Sequence, residues 1–188
     1  MPEAGRVIAG TARGTRLRSP GGSTRPLGDR VKESLFASLQ QMLQGARVLD
    51  LFAGSGAGGI EALSRGAKHC DFVERDAAAV KTIVLNLDHC GLADKGAVHR
   101  AEVLAFLQRA CGPYDLVLVD PPYGDPVILA VLERLGHSAA LAPGATVVAK
   151  HFWRDPLPEA AGRLTLAKKR RFGETGLAIY RANGGEEP

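Results

Sequence analysis

The 188-residue chain has no long hydrophobic run. A membrane-spanning helix needs about 20 consecutive apolar residues, and stretches such as Ala145–Ala149 fall far short, so no span is expected. Cysteine is scarce: Cys70, Cys90 and Cys111 lie 20 and 21 residues apart, without Cys-x-x-Cys spacing. That pattern offers neither a disulfide framework nor a zinc site, so no metal is expected and the thiols read as reduced, buried small hydrophobes. The opening Met-Pro-Glu-Ala-Gly-Arg lacks the apolar segment of a secretory leader, which points to a cytoplasmic protein. Internal repeats and low-complexity tracts are missing too. What is there, 45% hydrophobic and 23% charged residues, matches an ordinary globular domain with one core and room for a small appendage.

The positive excess sits near the two ends. Residues 1–32 carry a net +5 and the run Lys168-Lys169-Arg170-Arg171 carries +4, while residues 33–167 carry −3. Segregation of this kind points to a polyanion partner more than a uniformly high isoelectric point would. A merely solvated surface is the alternative.

Short β-like runs at Arg6–Ala9 and Thr15–Arg18, around Gly10 and Gly14, predict an N-terminal hairpin, followed by a loop over Ser19–Pro26. A helix should start with Asp29 as N-cap, since Val31, Leu35, Leu39 and Leu43 recur at helical spacing. From residue 46, strands at Val48–Phe52, His69–Glu74, Ala97–Ala101, Tyr114–Asp120 and Ala145–Lys150 alternate with helices over 57–65, 76–90, 103–110 and 125–136. Such alternation predicts right-handed βαβ units and a parallel sheet covered on both faces. Arg163–Lys169 and Gly176–Arg181 have no helix between them and should pair antiparallel at one edge. The expected fold is therefore α/β, a doubly wound, mostly parallel seven-stranded sheet with an antiparallel edge pair and an N-terminal β-hairpin extension. Ligands of such sheets bind beyond the carboxyl ends of the strands.

Two motifs stand at those ends. In Asp50-Leu51-Phe52-Ala53-Gly54-Ser55-Gly56-Ala57-Gly58-Gly59, the glycines at 54, 56 and 59 allow a tight strand-to-helix turn and close approach to a ligand. Glu74 follows 20 residues after Gly54 at the next strand end, where a carboxylate can take two ribose hydroxyls. By itself this fits a dinucleotide as well, so a nicotinamide-dependent oxidoreductase is one reading. The second motif is Asp120-Pro121-Pro122-Tyr123. Its prolines remove N–H donors, leaving carboxylate and carbonyl acceptors beside an aromatic platform. That assembly suits a planar base bearing an exocyclic amine, and hydride transfer has no obvious use for it. Phe152 and Trp153 suit stacking on a base or ordinary packing, and Tyr114 reads as core. His151 could serve as a base, although a solvent-facing or packed histidine is the better reading.

These motifs in this order resemble an S-adenosylmethionine-dependent methyltransferase acting on exocyclic amines, with a Rossmann-like fold. Arg25-Pro26, Asp29 to Phe36, Ile60 to Ala67 and Arg171-Phe172-Gly173-Glu174-Thr175 are similar to the RsmD family, which methylates guanine N2 in 16S ribosomal RNA. The resemblance spans about residues 6 to 181. It implies a cofactor set of Asp50, Phe52, Gly54, Ser55, Gly56, Glu74, Arg75 and Glu102, the last standing where the pattern usually has Asp. It also implies that Asp120, Pro121, Pro122 and Tyr123 hold the target guanine. Leu27-Gly28 and Lys150-His151 depart from the pattern, the latter where an acid is common.

The expected activity is methyl transfer from S-adenosylmethionine to guanine N2 of 16S ribosomal RNA in the small ribosomal subunit. Arg13, Arg16, Arg18, Arg25, Arg30, Lys168, Lys169, Arg170 and Arg171 are expected to hold RNA. Residues 1–28 would be a basic extension and 29–188 the methyltransferase domain of a monomer without metal or membrane contact. The strongest rival acceptors are adenine N6 of DNA and guanine N2 of another RNA. A non-catalytic RNA-binding factor would have no need for both Asp120 and Glu74.

Overall fold

The computed structural model describes residues 3–21, 28–109 and 112–184. Arg25, Leu27 and Cys111, all singled out above, lie outside these described residues. In chain order the elements are β1 (Glu3–Arg6), β2 (Arg16–Arg18), α1 (Asp29–Leu43), β3 (Arg47–Leu51), α2 (Ala57–Ser64), β4 (His69–Glu74), α3 (Ala77–His89), β5 (Gly96–Arg100), α4 (Val103–Leu107), β6 (Tyr114–Val119), α5 (Val127–Gly136), β7 (Leu141–Phe152), β8 (Ala160–Ala161), β9 (Leu164–Phe172) and β10 (Thr175–Ala182). β1 and β2 form an antiparallel pair, and the other strands form one sheet in the order β5-β4-β3-β6-β7-β10-β9-β8.

The main sheet thus has eight strands among the described residues, not seven. The extra one, β8, is two alanines paired to β9, too short for any alternating pattern. β3 to β7 run parallel, and β10 enters antiparallel between β7 and β9. Residue chemistry explains why the later strand lies inside. Gly176 to Tyr180 of β10 are all buried, whereas β9 exposes Lys168, Lys169 and Arg171. A strand dense in charge is tolerated near an edge, where it also discourages pairing with another chain.

Alternation sorts the core into two layers. Val48, Leu116, Leu118, Val148, Leu177 and Ile179 pack with α1, α2, α3 and the hairpin. Leu49, Leu51, Val117, Val119, Val147 and Tyr180 pack on the other face with α4 and α5. Gly59 permits the close seating of α2, because a Cβ there would stand 2.3 Å from the Phe72 ring and 2.6 Å from Cys70 Sγ. Of the described thiols, Cys70 is buried and Cys90 only half-buried.

Among the local expectations that shifted are the start of α1 and the bounds of β1. α1 begins at Asp29, with Gly28 at the cap and no side-chain cap hydrogen bond. The Asp29 carboxylate instead lies 3.4 Å from Arg6 Nε and 3.6 Å from Lys32 Nζ, while still favouring the helix dipole from the first turn. Past β1, Val7 still exchanges backbone bonds with Thr15 and Gly14, and the predicted strand stops there because the Ile8 and Ala9 amides donate to the Glu61 carboxylate of α2, at 2.8 and 3.2 Å. Three fully buried polar side chains, one from each of the first three helices, hold the hairpin down. Lys32 donates to the Arg6 carbonyl (2.6 Å), Glu61 takes the two amides, and Asn86 exchanges bonds of 2.9 and 3.0 Å with the Arg18 backbone.

Glu61 also accepts from Arg65 Nε at 2.6 Å, a pair that is 0% and 6% exposed. Glu61→Ala would take the acceptor from Arg65 Nε and from two amides, so urea unfolding should show a loss of about 3–5 kcal/mol. Glu3→Ala removes only the exposed partner of Arg16 and should stay within about 0.5 kcal/mol of wild type.

Candidate functional site

A cleft of about 570 Å³ opens at the carboxyl ends of β3, β4 and β6. That size lies within the range of small-molecule sites, and β3 is where the strand order reverses. Of the residues implied for the cofactor, Asp50, Phe52, Gly54, Ser55, Glu74, Arg75 and Glu102 line it. Gly56 is the left-handed cap of α2, with φ 79°. Asp120, Pro121, Pro122 and Tyr123 line the same cleft from the side of β6.

The β3–α2 turn is tightly constrained. Phe52 has φ 60°, a left-handed conformation that costs a non-glycine residue about 1–3 kcal/mol and tends to persist at functional sites. The buried Asp50 carboxylate accepts the Gly59 amide at 2.8 Å and so ties the helix start to β3. Glu74 accepts the Gly54 amide at 3.0 Å and the Asp76 amide at 2.9 Å. It therefore shapes the glycine loop, while each carboxylate oxygen keeps a second lone pair for a ligand hydroxyl. Glu102 stands exposed at the N-cap position of α4, without a side-chain cap hydrogen bond, and faces Arg75 at 3.6 Å across the cleft rim.

The cleft concentrates negative charge. Burial pushes the Asp50 carboxyl up to about 8, the Gly59 hydrogen bond opposes this, and the nearby Asp120 and Glu74 charges add to it. Burial also raises Asp120, against the pull of Lys150. Three carboxylates around one cavity suit a cationic ligand, and the open side of Gly54, where a Cβ would approach nothing closer than Phe52 O at 3.9 Å, leaves room for it. A sulfonium cofactor carrying an amino acid and a ribose fits this donor and acceptor set.

Lys150 is the residue that sequence reasoning left without a role. It lies at the carboxyl end of β7, is 8% exposed, and places Nζ 2.6 Å from Asp120 Oδ1. The contact is a short, largely buried ion pair. The same ammonium stands 5.0 Å over the Tyr123 ring. Tyr123 is 42% exposed, bonds Thr175 Oγ1 at 2.7 Å, and meets Phe152 edge-on at 6.4 Å, so the platform is held upright at the cleft mouth. His151 faces away from this chemistry, its Nδ1 2.9 Å from the Asp155 carbonyl. Tyr114 is core, donating to buried Asp71 at 2.9 Å.

Asn86 was missed as well. Besides Arg18 it donates to the Ser55 carbonyl at 2.9 Å, linking the hairpin to the glycine loop. Its signal was an amide on the apolar stripe of Ala79, Ile83 and Leu87, all buried. Ala4, Ser19 and Pro20 bring the hairpin to the cleft itself. Arg13, Arg16, Arg18 and Arg30 are exposed, Arg16 pairing with Glu3 at 2.8 Å. The 168–171 run divides between the two faces of β9, following the two-residue period. Arg170 bonds the Ser34 carbonyl and hydroxyl of α1 at 3.0 and 3.2 Å, while Arg171 stacks on Trp153.

Comparison with known proteins agrees with this geometry. The family model described as Conserved hypothetical protein 95 matches residues 5–181. The Bacillus subtilis protein YlbH is 40% identical over 183 residues, covering 95% of this chain and 100% of that one. The Escherichia coli protein named ribosomal RNA small subunit methyltransferase D is 32% identical over 176 residues, covering 93% of this chain and 88% of its own. Among solved structures, yhhF of Escherichia coli has a TM-score of 0.89 at 30% identity over 97% of this chain and 99% of that one. An RNA methyltransferase from Salinibacter ruber, solved with S-adenosyl-L-homocysteine, shares the fold at TM-score 0.67 and 17% identity, over 87% of this chain and 95% of its own. The chain belongs to the RsmD family of ribosomal RNA methyltransferases.

Proposed function

We propose that the protein transfers the methyl group of S-adenosylmethionine to the exocyclic N2 amine of a guanine in 16S ribosomal RNA of the small subunit. The observation that carries this reading is the junction of two half-sites in one cleft, Glu74 with the glycine loop on one side and Asp120 to Tyr123 on the other. S-adenosylmethionine supplies an electrophilic methyl on a positive sulfur. The chain's own task is positioning and electrostatics. Asp50 and the Gly54–Gly56 loop hold the amino-acid end, Glu74 the ribose, and Arg75 and Glu102 the rim beside the adenine. The target amine donates to the Asp120 carboxylate and the Pro121 carbonyl, which aims its lone pair and favours the charge developing on nitrogen. Tyr123 stacks on a base turned out of its helix. Residues 1–28 act as a docking extension of the methyltransferase domain over 29–188. One chain carries both half-sites, which supports a monomer as the working unit.

The test is transfer of labelled methyl from S-adenosylmethionine to small-subunit particles, free ribosomal RNA and DNA, followed by mass spectrometry of the digested nucleosides. N2-methylguanosine from 16S RNA is the expected product. N6-methyladenosine would overturn the assignment of the base, and methylation of DNA alone would overturn the RNA substrate.

Glu74→Ala should weaken cofactor binding by about 1.5–3 kcal/mol in calorimetry, as expected for lost hydrogen bonds to a charged group. Asp120→Ala should leave that affinity nearly intact and lower single-turnover rates roughly 10²–10³-fold.

Asp50 sets a pH dependence. Its carboxylate form attracts the cationic cofactor, and burial pushes its pKa up to about 8. Affinity should therefore rise as pH climbs towards about 8 and level off above it, with proton release visible as a buffer-dependent binding heat. Asp50→Asn should flatten that profile.

Changing Arg13 and Arg18 to Glu should weaken RNA association and reduce its salt slope by about 0.7–0.9 for each phosphate no longer neutralised. Cofactor affinity should be unchanged, and equal slopes for variant and wild type would mean the hairpin charges are only solvated.

A further inference from the structure

Beyond the cleft, the tip formed by the end of β7 and the facing ends of β9 and β10 gathers aromatic rings and guanidinium groups. Trp153 carries the Arg171 guanidinium 3.5 Å from its ring centroid and the Arg154 guanidinium at 4.9 Å. Both arginines are exposed. The Trp153 backbone amide donates to the Glu174 carbonyl at 3.0 Å, and Arg171 Nε donates to the Gly173 carbonyl at 2.9 Å, so the main chain that carries the indole and the Arg171 guanidinium are both anchored. Rings continue from here to the target-base platform: Trp153 lies 6.5 Å from Phe152, and Phe152 6.4 Å from Tyr123. Exposed Lys169, two residues before Arg171 on β9, extends the positive charge along the same face.

Cation–π attraction draws two exposed arginines onto one indole at this strand tip. A guanidinium held flat on an aromatic ring has lost much of its rotamer freedom and presents its N–H fork in a fixed direction, which suits a phosphate. Aromatic rings interleaved with cations are also the general solution for gripping single-stranded nucleic acid. We propose that Arg154, Arg171 and Trp153 form a clamp for the phosphodiester backbone of the single-stranded RNA segment flanking the target base. This rests on the reading of the protein as an RNA methyltransferase and adds a contact surface beside the Asp120–Tyr123 pocket. Its geometry also orders the contacts: the backbone is held at the tip while the target base passes the Phe152 ring and reaches Tyr123.

Trp153 is the chain's one tryptophan, so its emission reports this tip alone. The experiment titrates the full-length protein with a short single-stranded RNA carrying a fluorophore. Anisotropy reads binding, tryptophan emission reads the tip, and cofactor titration and thermal melting serve as controls. RNA should change Trp153 emission in the wild type. Arg154→Ala with Arg171→Ala should weaken binding and lower the salt slope by about 0.7 for each phosphate no longer held, with cofactor affinity and melting unchanged. Trp153→Phe, which keeps a ring for the guanidiniums, should stay close to wild type, and Trp153→Ala should not. RNA binding that leaves both emission and slope untouched would overturn the clamp and leave the methyl-transfer reading standing. A changed emission with an unchanged slope would make Trp153 a base platform and also overturn the phosphate assignment. A wild type that neither binds RNA nor methylates it would remove both proposals.

Discussion

The reversal from β3 into α2 is the constraint on which the rest of the site depends. Within a few residues the chain must leave the sheet, turn, and start a helix packed against the strand beside it. Phe52 and Gly54 adopt left-handed backbone, and Gly59 lets α2 approach the Phe72 ring more closely than any side chain would allow. Asp50 and Glu74 then fasten the turn through backbone amides. Holding a carboxylate such as Asp50 in the interior is costly, as its raised pKa shows. A turn held this way has its amides and acceptors fixed before any ligand arrives, which is the preorganisation that methyl transfer requires.

The hairpin is more than an appendage to that core. Lys32, Glu61 and Asn86 are fully buried, and each spends its hydrogen bonds on hairpin backbone. Buried polar groups are stabilising only when satisfied, so each of them also specifies a single seating of the hairpin. Asn86 adds a bond to the glycine loop, and Ser19 and Pro20 border the cleft. The hairpin and the ligand cleft are thus joined through one hydrogen-bonded side chain.

Asp120 illustrates how a remote strand tunes a motif. Its own segment supplies the carboxylate and the prolines, but Lys150 of β7 sets the electrostatics, opposing the rise that burial imposes. Lys150 also touches Tyr123, and Thr175 of β10 anchors the same ring. Because β10 inserts antiparallel next to β7, the start of β10 and the end of β7 meet at the carboxyl edge of the sheet. The antiparallel insertion therefore supplies half of the support for a platform that the parallel strands position.

Sequence by itself determined the alternation of strands and helices, the two motifs and their place at strand ends, because local periodicity, glycine and proline act within a few residues. It determined the segregation of charge for the same reason. Only the tertiary structure decided that β10 lies inside β9, that Arg170 is taken up by α1 while Arg171 joins Trp153, and that Lys150 pairs with Asp120. Each of these joins residues far apart in the chain: Ser34 and Arg170 are separated by 136 positions. Strand register and the burial of both sheet faces, which no local pattern encodes, bring them together.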